Sequence, residues 1–215
     1  MHFENEFHLQ IINMTQPQIA ISYVDTFSKS IFLDFEKIVT AENLNLQIQA
    51  RPAPGPMAAM EWLIPTAVIA YISKSYFDGF LKEMGKDHYA LLKTGLKSLY
   101  TSLLGAKAPK VHLVGTTGKV SKEQDYSLLY SIVVEANPKL RFKLLLPANC
   151  TEAEYEDTVT EFLSFLEHFH SNTLDLATID RFSVARPIGG TLLTKYNVKT
   201  GLIEAVDPQP PVTNV

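Results

Sequence analysis

The sequence predicts an α+β protein with a mostly antiparallel sheet, and three observations support this class. Of the 215 residues, 46% are hydrophobic and 20% are charged, which is typical of a soluble globular protein with a sizeable core. Several short segments alternate apolar and polar residues, as half-buried strands do. Longer segments repeat apolar residues every three or four positions, as amphipathic helices do. We expect one domain over residues 1–206 with a flexible tail, 207–215, and possible subdomains 1–50, 57–104 and 107–206.

The first fifty residues predict a hairpin, a helix and a strand. Apolar residues alternate over 7–11 and again over 19–23, on either side of a turn at Thr15-Gln16-Pro17, so we expect a β-hairpin near 7–24. Ser28 is a suitable N-cap. It precedes one apolar stripe formed by Ile31, Phe35, Ile38 and Val39. The alternation of Leu44, Leu46 and Ile48 then predicts a strand.

A helical hairpin is predicted over 57–104. The connector Arg51-Pro52-Ala53-Pro54-Gly55-Pro56 leads into good helix formers from Met57 to about Phe80, with Pro65 expected to bend the helix. A second helix is expected to begin near Asp87. Its apolar side is formed by Tyr89, Leu92, Leu96, Leu99 and Leu103.

Two interpretations of the first of these helices remain open. The uncharged run Trp62–Ser73 would be about 18 Å long as a helix, against a hydrocarbon core of about 30 Å. One interpretation is a bent core helix that covers the sheet. The other is a membrane-seeking or self-packing helix, because Trp62, Tyr71 and several small residues suit such surfaces.

The second half of the chain predicts two hairpins and a helix. Apolar strands flank Ala136-Asn137-Pro138-Lys139, which predicts an antiparallel hairpin over 127–146. Thr151 and Glu154 form a capping box that opens an amphipathic helix over 151–169, whose other side is acidic. A last hairpin is predicted over 191–206, turning at Lys199-Thr200-Gly201.

Charge is distributed in blocks along the chain. The formal net charge is −4, but residues 74–122 hold nine lysines against three acidic residues, and both flanking blocks are acidic. The lysine block could be a solvated face, a complement to the acidic helix 151–169, or a contact surface for a protein partner or an anionic membrane. Nucleic acid is disfavoured, because no arginine is interleaved. The candidate contact residues are Trp62, Tyr71, Lys74, Lys82, Lys86, Lys93 and Lys97.

The candidates for chemistry do not form a recognised motif. Gly115-Thr116-Thr117-Gly118-Lys119 lacks the spacing of a phosphate-binding loop. Cys150 precedes a helix N-terminus, which could lower the pKa of its thiol, and His168 and His170 are spaced so that they cannot share a metal on a helix. A polar cleft could be lined by Asp175, Asp180, Arg181 and Arg186. We expect no cofactor, no metal and no catalytic residue.

The order strand, helix, strand, connector and small-residue helix resembles the effector-associated components of bacterial conflict systems. The segment that carries the resemblance is Arg51-Pro52-Ala53-Pro54-Gly55-Pro56-Met57-Ala58-Ala59, and the resemblance covers about the first hundred residues. Members of this group are small non-catalytic adaptors. The resemblance implies a bacterial protein that acts in a defence or immunity setting by binding another macromolecule.

Three functions are therefore considered. The first is a non-enzymatic protein that binds another protein, either a copy of itself or a different one, through the basic, apolar hairpin 57–104. The second is a membrane-associated protein that uses helix 57–81, and the third is an enzyme that assembles Cys150 with His112 or with Asp175 and Asp180. The acidic start of the chain is unlike a secretory signal, so a cytoplasmic location is expected, with a position peripheral to the inner membrane as the alternative.

Overall fold

Seven strands form one sheet in this computed structural model, which describes residues 16–53, 66–105 and 125–207. The spatial order is β2-β1-β3-β4-β5-β6-β7. The strands are β1 (Ile19–Val24), β2 (Leu46–Arg51), β3 (Val68–Ile72), β4 (Tyr130–Asn137), β5 (Leu140–Leu144), β6 (Thr191–Asn197) and β7 (Leu202–Val206). Strands from all three predicted subdomains thus belong to the same sheet.

The described helices lie between these strands along the chain. They are α1 (Leu33–Val39), α2 (Leu81–Met84), α3 (Lys86–Leu103), α4 (Glu152–His170) and α5 (Leu176–Ser183). A 3₁₀ turn, Lys29–Phe32, leads into α1, and a π-helical turn, Tyr76–Phe80, leads into α2. Ser28 is the N-cap of the 3₁₀ turn, and Thr151 and Glu154 form the capping box of α4, so both predicted caps are confirmed.

The predicted α+β class is confirmed, and the sheet is mixed. Parallel pairs (β1 with β2, β3 with β4, β5 with β6) alternate with antiparallel pairs (β1 with β3, β4 with β5, β6 with β7). Each parallel pair is joined by a helical connection, as parallel neighbours require. The hairpins predicted over 127–146 and 191–206 are confirmed as β4–β5 and β6–β7.

The helix predicted from Met57 to Phe80, and with it the hairpin 57–104, is wrong. Residues 68–72 form β3, which pairs with β1 on one side and β4 on the other. The sequence Val-Ile-Ala-Tyr-Ile is rich in the β-branched and aromatic residues that favour strands. All five residues are apolar, so the sequence shows no alternation and resembles a buried helix, although only Val68, Ala70 and Ile72 are buried in the structure. Residues 54–65, including Trp62 and Pro65, lie outside the described residues.

The hairpin predicted near 7–24 is also wrong, because its described strand, β1, pairs with other strands. Both edges of β1 are occupied, one by β2 and the other by β3. The other predicted strand, over 7–11, lies outside the described residues. The alternation over 19–23 is nevertheless that of a real strand, because Ile19, Ile21 and Tyr23 are buried and the residues between them are partly exposed.

One apolar core joins the helices to the alternate positions of the central strands. Val68, Ala70 and Ile72 of β3 belong to the same core as the leucines of α3 and the aromatic residues of α4. The predicted apolar sides of α3 and α4 are therefore confirmed. Burial of apolar surface drives this packing, because each Å² removed from water contributes about 25 cal/mol of favourable free energy.

A buried histidine ties three elements of this core together. His88 of α3 lies with Nε2 at 2.8 Å from the Val39 carbonyl oxygen at the end of α1. Its Nδ1 lies 3.1 Å from the hydroxyl of Tyr76 in the π-helical turn. Because a carbonyl can only accept, Nε2 donates to Val39 and Nδ1 accepts from Tyr76 in the neutral ring.

Candidate functional site

A cavity of about 400 Å³ opens at the carboxyl ends of the parallel strands β3 and β4. It is lined by Lys74, Ala136, Phe169, His170, Asn172, Leu174 and Ile179. Lys74 follows β3, Ala136 lies near the end of β4, and the remaining residues come from the end of α4, the loop after it and α5. Crevices beyond the carboxyl ends of strands are the usual ligand sites of open sheets with helical connections.

Polar contacts beside the cavity organise the chain that leaves β3. The Glu135 carboxylate accepts hydrogen bonds from the Tyr71 hydroxyl, at 3.2 Å, and from the backbone N–H of Lys74, at 3.1 Å. Burial, and then the Glu135 charge, raise the pKa of Tyr71. The ammonium of Lys74 pairs with the carboxylate of Asp78, four residues later. Glu135 therefore holds Lys74 at the mouth of the cavity.

His170 forms part of the cavity wall. Its ring stacks on Phe77 with centroids 4.4 Å apart and an interplanar angle of 11°. Its Nε2 is buried without a hydrogen-bond partner. Burial, with a smaller effect of the positive charge of Lys74, lowers the pKa of His170 from 6.5 to about 4. The ring is consequently neutral at physiological pH.

Acidification is expected to destabilise the protein through His170. The unfolded state takes up the proton near pH 6.5 and the folded state only near pH 4, so the stabilisation is complete above pH 6.5 and is lost as the pH falls toward 4. Urea unfolding between pH 7 and pH 4 measures this loss. The control is His170→Phe, which can still stack on Phe77 but cannot titrate. Parallel pH profiles for the two proteins would contradict the assignment.

A second, shallower groove lies between α3 and α4 and holds part of the lysine block. It has a volume of about 150 Å³ and is lined in part by Lys93, Lys97 and Glu156. Lys97 forms ion pairs with Glu152, at 3.0 Å, and with Glu156. Hydrogen bonds to these two carboxylates raise the pKa of Lys97. In this groove, the lysine block complements the acidic helix of the same chain, which is one of the alternatives that the sequence left open.

The structure divides the sequence-predicted contact residues among separate places. Tyr71 and Lys74 lie together beside the cavity, whereas Lys93 and Lys97 lie in the groove between α3 and α4. Lys82 is exposed on α2, and Lys86 begins α3. Trp62 lies outside the described residues.

The residues proposed for an assembled catalytic centre are not brought together within the described part of the chain. Cys150 is half-buried, and burial, followed by the charge of Glu154, raises the pKa of its thiol to about 11. A thiol with a raised pKa forms less of the reactive thiolate, so Cys150 is a poor nucleophile. Asp175 is the exposed N-cap of α5, and Asp180 is exposed on the same helix, so neither lines a polar cleft. His112 lies outside the described residues.

Exposed apolar side chains are concentrated on α5 and the β6–β7 hairpin. Among the described residues, the large hydrophobic side chains with high exposure are Leu33, Leu91, Leu176, Ile179, Val184, Val198 and Leu202. Five of these seven fall within residues 176–202, and Leu176 and Val184 are each 79% exposed. Helix α5 packs against β7. Within ranges 16–53, 66–105 and 125–207, no strand pairs with the outer edge of β7.

Sequence reasoning did not find this apolar surface or the cavity. From the sequence, residues 176–184 suggest only one side of a polar cleft, although Leu176 and Ile179 are spaced as neighbours on one helix face. In the part of the chain described here, no cluster of three histidine, cysteine or acidic side chains could hold a metal ion. None of the described helices combines the length and the apolar character needed to cross a membrane.

Comparisons of the chain with protein-family models, with curated proteins and with solved structures found no match. The function must therefore be inferred from the chain's own surfaces and cavities. The resemblance to conflict-system adaptors stays a prediction. Its element order agrees with the structure from β1 to β2, but the next described element is β3 rather than a helix.

Proposed function

We propose that this protein is a non-enzymatic, adaptor-like protein that acts by binding another protein. The contact surface that we propose is formed by α5 and the outer edge of β7, and we call it the α5–β7 surface. The observation that carries this proposal is that, among the described residues, five of the seven highly exposed large hydrophobic side chains fall within residues 176–202. Clustered exposed apolar residues are typical of interaction sites, whereas single ones are ordinary.

The predicted contact surface on 57–104 is less suitable. Val68, Ala70 and Ile72, which contribute to the prediction of an apolar contact helix, are buried in β3. Lys74 and Lys97 are engaged in ion pairs within the chain, so binding a partner there would require those pairs to be broken. The α5–β7 surface has no comparable competing contacts at Leu176 and Val184, which are mostly exposed.

The occupant that we propose is an extended segment of a partner protein with alternating apolar residues. An edge strand presents a row of backbone donors and acceptors that can pair with a further strand. Side chains on one side of such a strand would continue the apolar layer next to α5, which packs against β7. Backbone pairing would then supply affinity, and the exposed side chains of α5 would supply selectivity.

Serine substitutions test this surface. The double variant Leu176→Ser, Val184→Ser is expected to bind the partner at least about tenfold more weakly, as for the loss of apolar anchors. The matched control is Leu33→Ser, Leu91→Ser, which changes two exposed leucines outside the surface. Tagged proteins are compared in pull-downs from native lysate, with soluble and membrane fractions kept apart, and hydrogen exchange is measured on the purified complex.

The expected result has two parts. The partner is captured by the wild type and the control but not by the α5 variant, and the amides of residues 202–206 gain protection in the complex. Equal capture by both variants, or a complex in which β7 gains no protection, would contradict the proposal. If the tagged protein is recovered only with the membrane fraction, and both double variants reduce this recovery equally, a lipid surface is favoured instead.

A further inference from the structure

Strand β2 ends the sheet on the side opposite to β7. Its neighbour in the described part of the chain is β1, which pairs with it in parallel from Leu46 to Arg51. The other side of β2, which we call the β2 edge, has no partner strand among residues 16–53, 66–105 and 125–207. An unpaired edge offers a row of backbone donors and acceptors to a further strand.

The β2 edge lacks the features that usually prevent such pairing. Proteins protect exposed edges with charged side chains, prolines or bulges. From Leu46 to Ala50 the strand reads Leu-Gln-Ile-Gln-Ala, without a charge or a proline, and it pairs with β1 without a shift of register. Gln49 and Ala50 are exposed, and the three residues before them are half-buried. The edge is therefore open to a second strand.

The hydrogen bonds to β1 show which backbone groups of β2 face outward. The carbonyl oxygens of Asn45 and Arg51 accept hydrogen bonds from N–H groups at or next to the two ends of β1. Because backbone groups point alternately to the two sides of a strand, Ile48 and Ala50 direct their N–H and C=O groups away from β1. The carbonyl group of Leu46 also faces outward, while its N–H is bonded to a nearby carbonyl of its own segment.

The side chains of β2 are self-complementary. Around Ile48 the strand has the same pattern in both directions, with a glutamine on each side and then an apolar residue. Two copies that pair antiparallel about Ile48 therefore place Gln47 opposite Gln49, and Leu46 opposite Ala50. Opposite side chains lie on the same face and touch, and a glutamine amide can both donate to and accept from another amide.

The apolar positions of β2 belong to the same face as the core. Leu46 and Ile48 are paired with the buried residues Ile19 and Ile21 of β1, and both pack against the core cluster. They are nevertheless half-buried, because no described strand lies beyond them. A second copy in the antiparallel register would continue this apolar layer and would remove part of the exposed surface from water.

We propose that the β2 edge binds a second copy of this chain, with the two β2 strands antiparallel about Ile48. Each Ile48 then exchanges hydrogen bonds with its copy, and each Ala50 N–H donates to the Leu46 carbonyl of the other copy. Both copies use the same strand, so the contact closes on itself as a twofold dimer. The α5–β7 surface lies at the other end of the sheet and stays available to a different protein.

The oligomeric state of the full chain tests this proposal. Sedimentation is measured from about 10 µM to about 1 mM at low salt, because one pair of edge strands is a small interface and a dissociation constant on the order of 100 µM is expected. Hydrogen exchange is measured at both ends of this range. The amides of Ile48 and Ala50 are expected to gain protection only at the high concentration.

Charge variants test the register. The double variant Gln47→Lys, Gln49→Lys places like charges opposite one another and is expected to weaken the dimer about tenfold or more. Gln47→Glu, Gln49→Glu is expected to do the same. A mixture of the two variants is expected to dimerise again, since each ammonium then faces a carboxylate. The matched control, Thr94→Lys, Thr101→Lys, adds the same charge at exposed positions of α3 and is expected to dimerise as the wild type does.

Several outcomes overturn the proposal. They are a wild type that stays monomeric at about 1 mM, equal dimerisation of the lysine variant and its α3 control, and a mixture of folded variants that stays monomeric. A monomeric wild type whose pull-down partner is lost in the lysine variant would assign the edge to a different protein and would also overturn self-pairing. The variant Leu176→Ser, Val184→Ser is expected to dimerise normally, so each proposal can fail without the other.

Discussion

Replacing Ile72 with alanine is expected to lower the free energy of unfolding by about 2 to 5 kcal/mol. Ile72 is fully buried at the end of β3, in the middle of the sheet, where it pairs with Ile19 of β1 and Val134 of β4. The substitution removes three carbon atoms from a close-packed core and leaves a cavity that the paired strands on both sides cannot collapse to fill. Urea denaturation measures the effect.

Ile69 is the matched control on the same strand. Ile69 points to the opposite face of β3 because side chains alternate along a strand. It is only partly buried there. Ile69→Ala is expected to cost clearly less than Ile72→Ala. If the two variants lose the same stability, or if Ile69→Ala is the more damaging, residues 68–72 do not have the alternation of a strand with one face in the core.

Replacing Gly95 with alanine is expected to destabilise the protein, although alanine is the better helix former. Gly95 lies on the buried side of α3, where an added Cβ would overlap Val39 Cγ2 and lie 3.0 Å from the Phe35 ring of α1. Val39 is β-branched and buried, so it cannot turn away. Overpacking of this kind costs about 1 to 3 kcal/mol, against a gain of about 1 kcal/mol from removing a helical glycine.

A double-mutant cycle separates the clash from other effects. Val39→Ala removes the carbon atom that the new Cβ would meet, so Gly95→Ala should cost less in that background than in the wild type. Gly79→Ala is the matched control, since nothing lies within 4 Å of a Cβ placed there. Additive losses in the cycle would mean that the close approach of α1 and α3 does not depend on Gly95.

The cluster beside the cavity could be predicted only in part. Tyr71 and Lys74 were singled out from the sequence, but for a helix that does not exist at residues 68–72. They lie near Glu135 because β3 and β4 are parallel neighbours in a particular register, and their contact partners are more than 60 positions away in the chain. His170 joins them because α4 ends at the same edge of the sheet. Register and helix placement are long-range properties that no short pattern encodes.

Local signals determined the elements that have one exposed face. The capping box of Thr151 and Glu154 closes hydrogen bonds within one turn, and the turns of the hairpins over 127–146 and 191–206 join strands that are adjacent in the chain. The apolar sides of α3 and α4 repeat with the period of a helix because their other sides meet water. Such patterns depend on neighbouring residues and are readable from the sequence alone.

Only the tertiary structure decided the centre of the molecule. A short strand whose residues are all apolar, such as β3, has no period in its sequence that distinguishes it from a buried helix. The same packing determined which lysines are neutralised, since Lys97 meets Glu152 and Glu156 through the contact of α3 with α4. It also left Leu176 and Val184 exposed, because burial depends on which distant segments pack against a side chain and not on the hydrophobicity of that side chain alone.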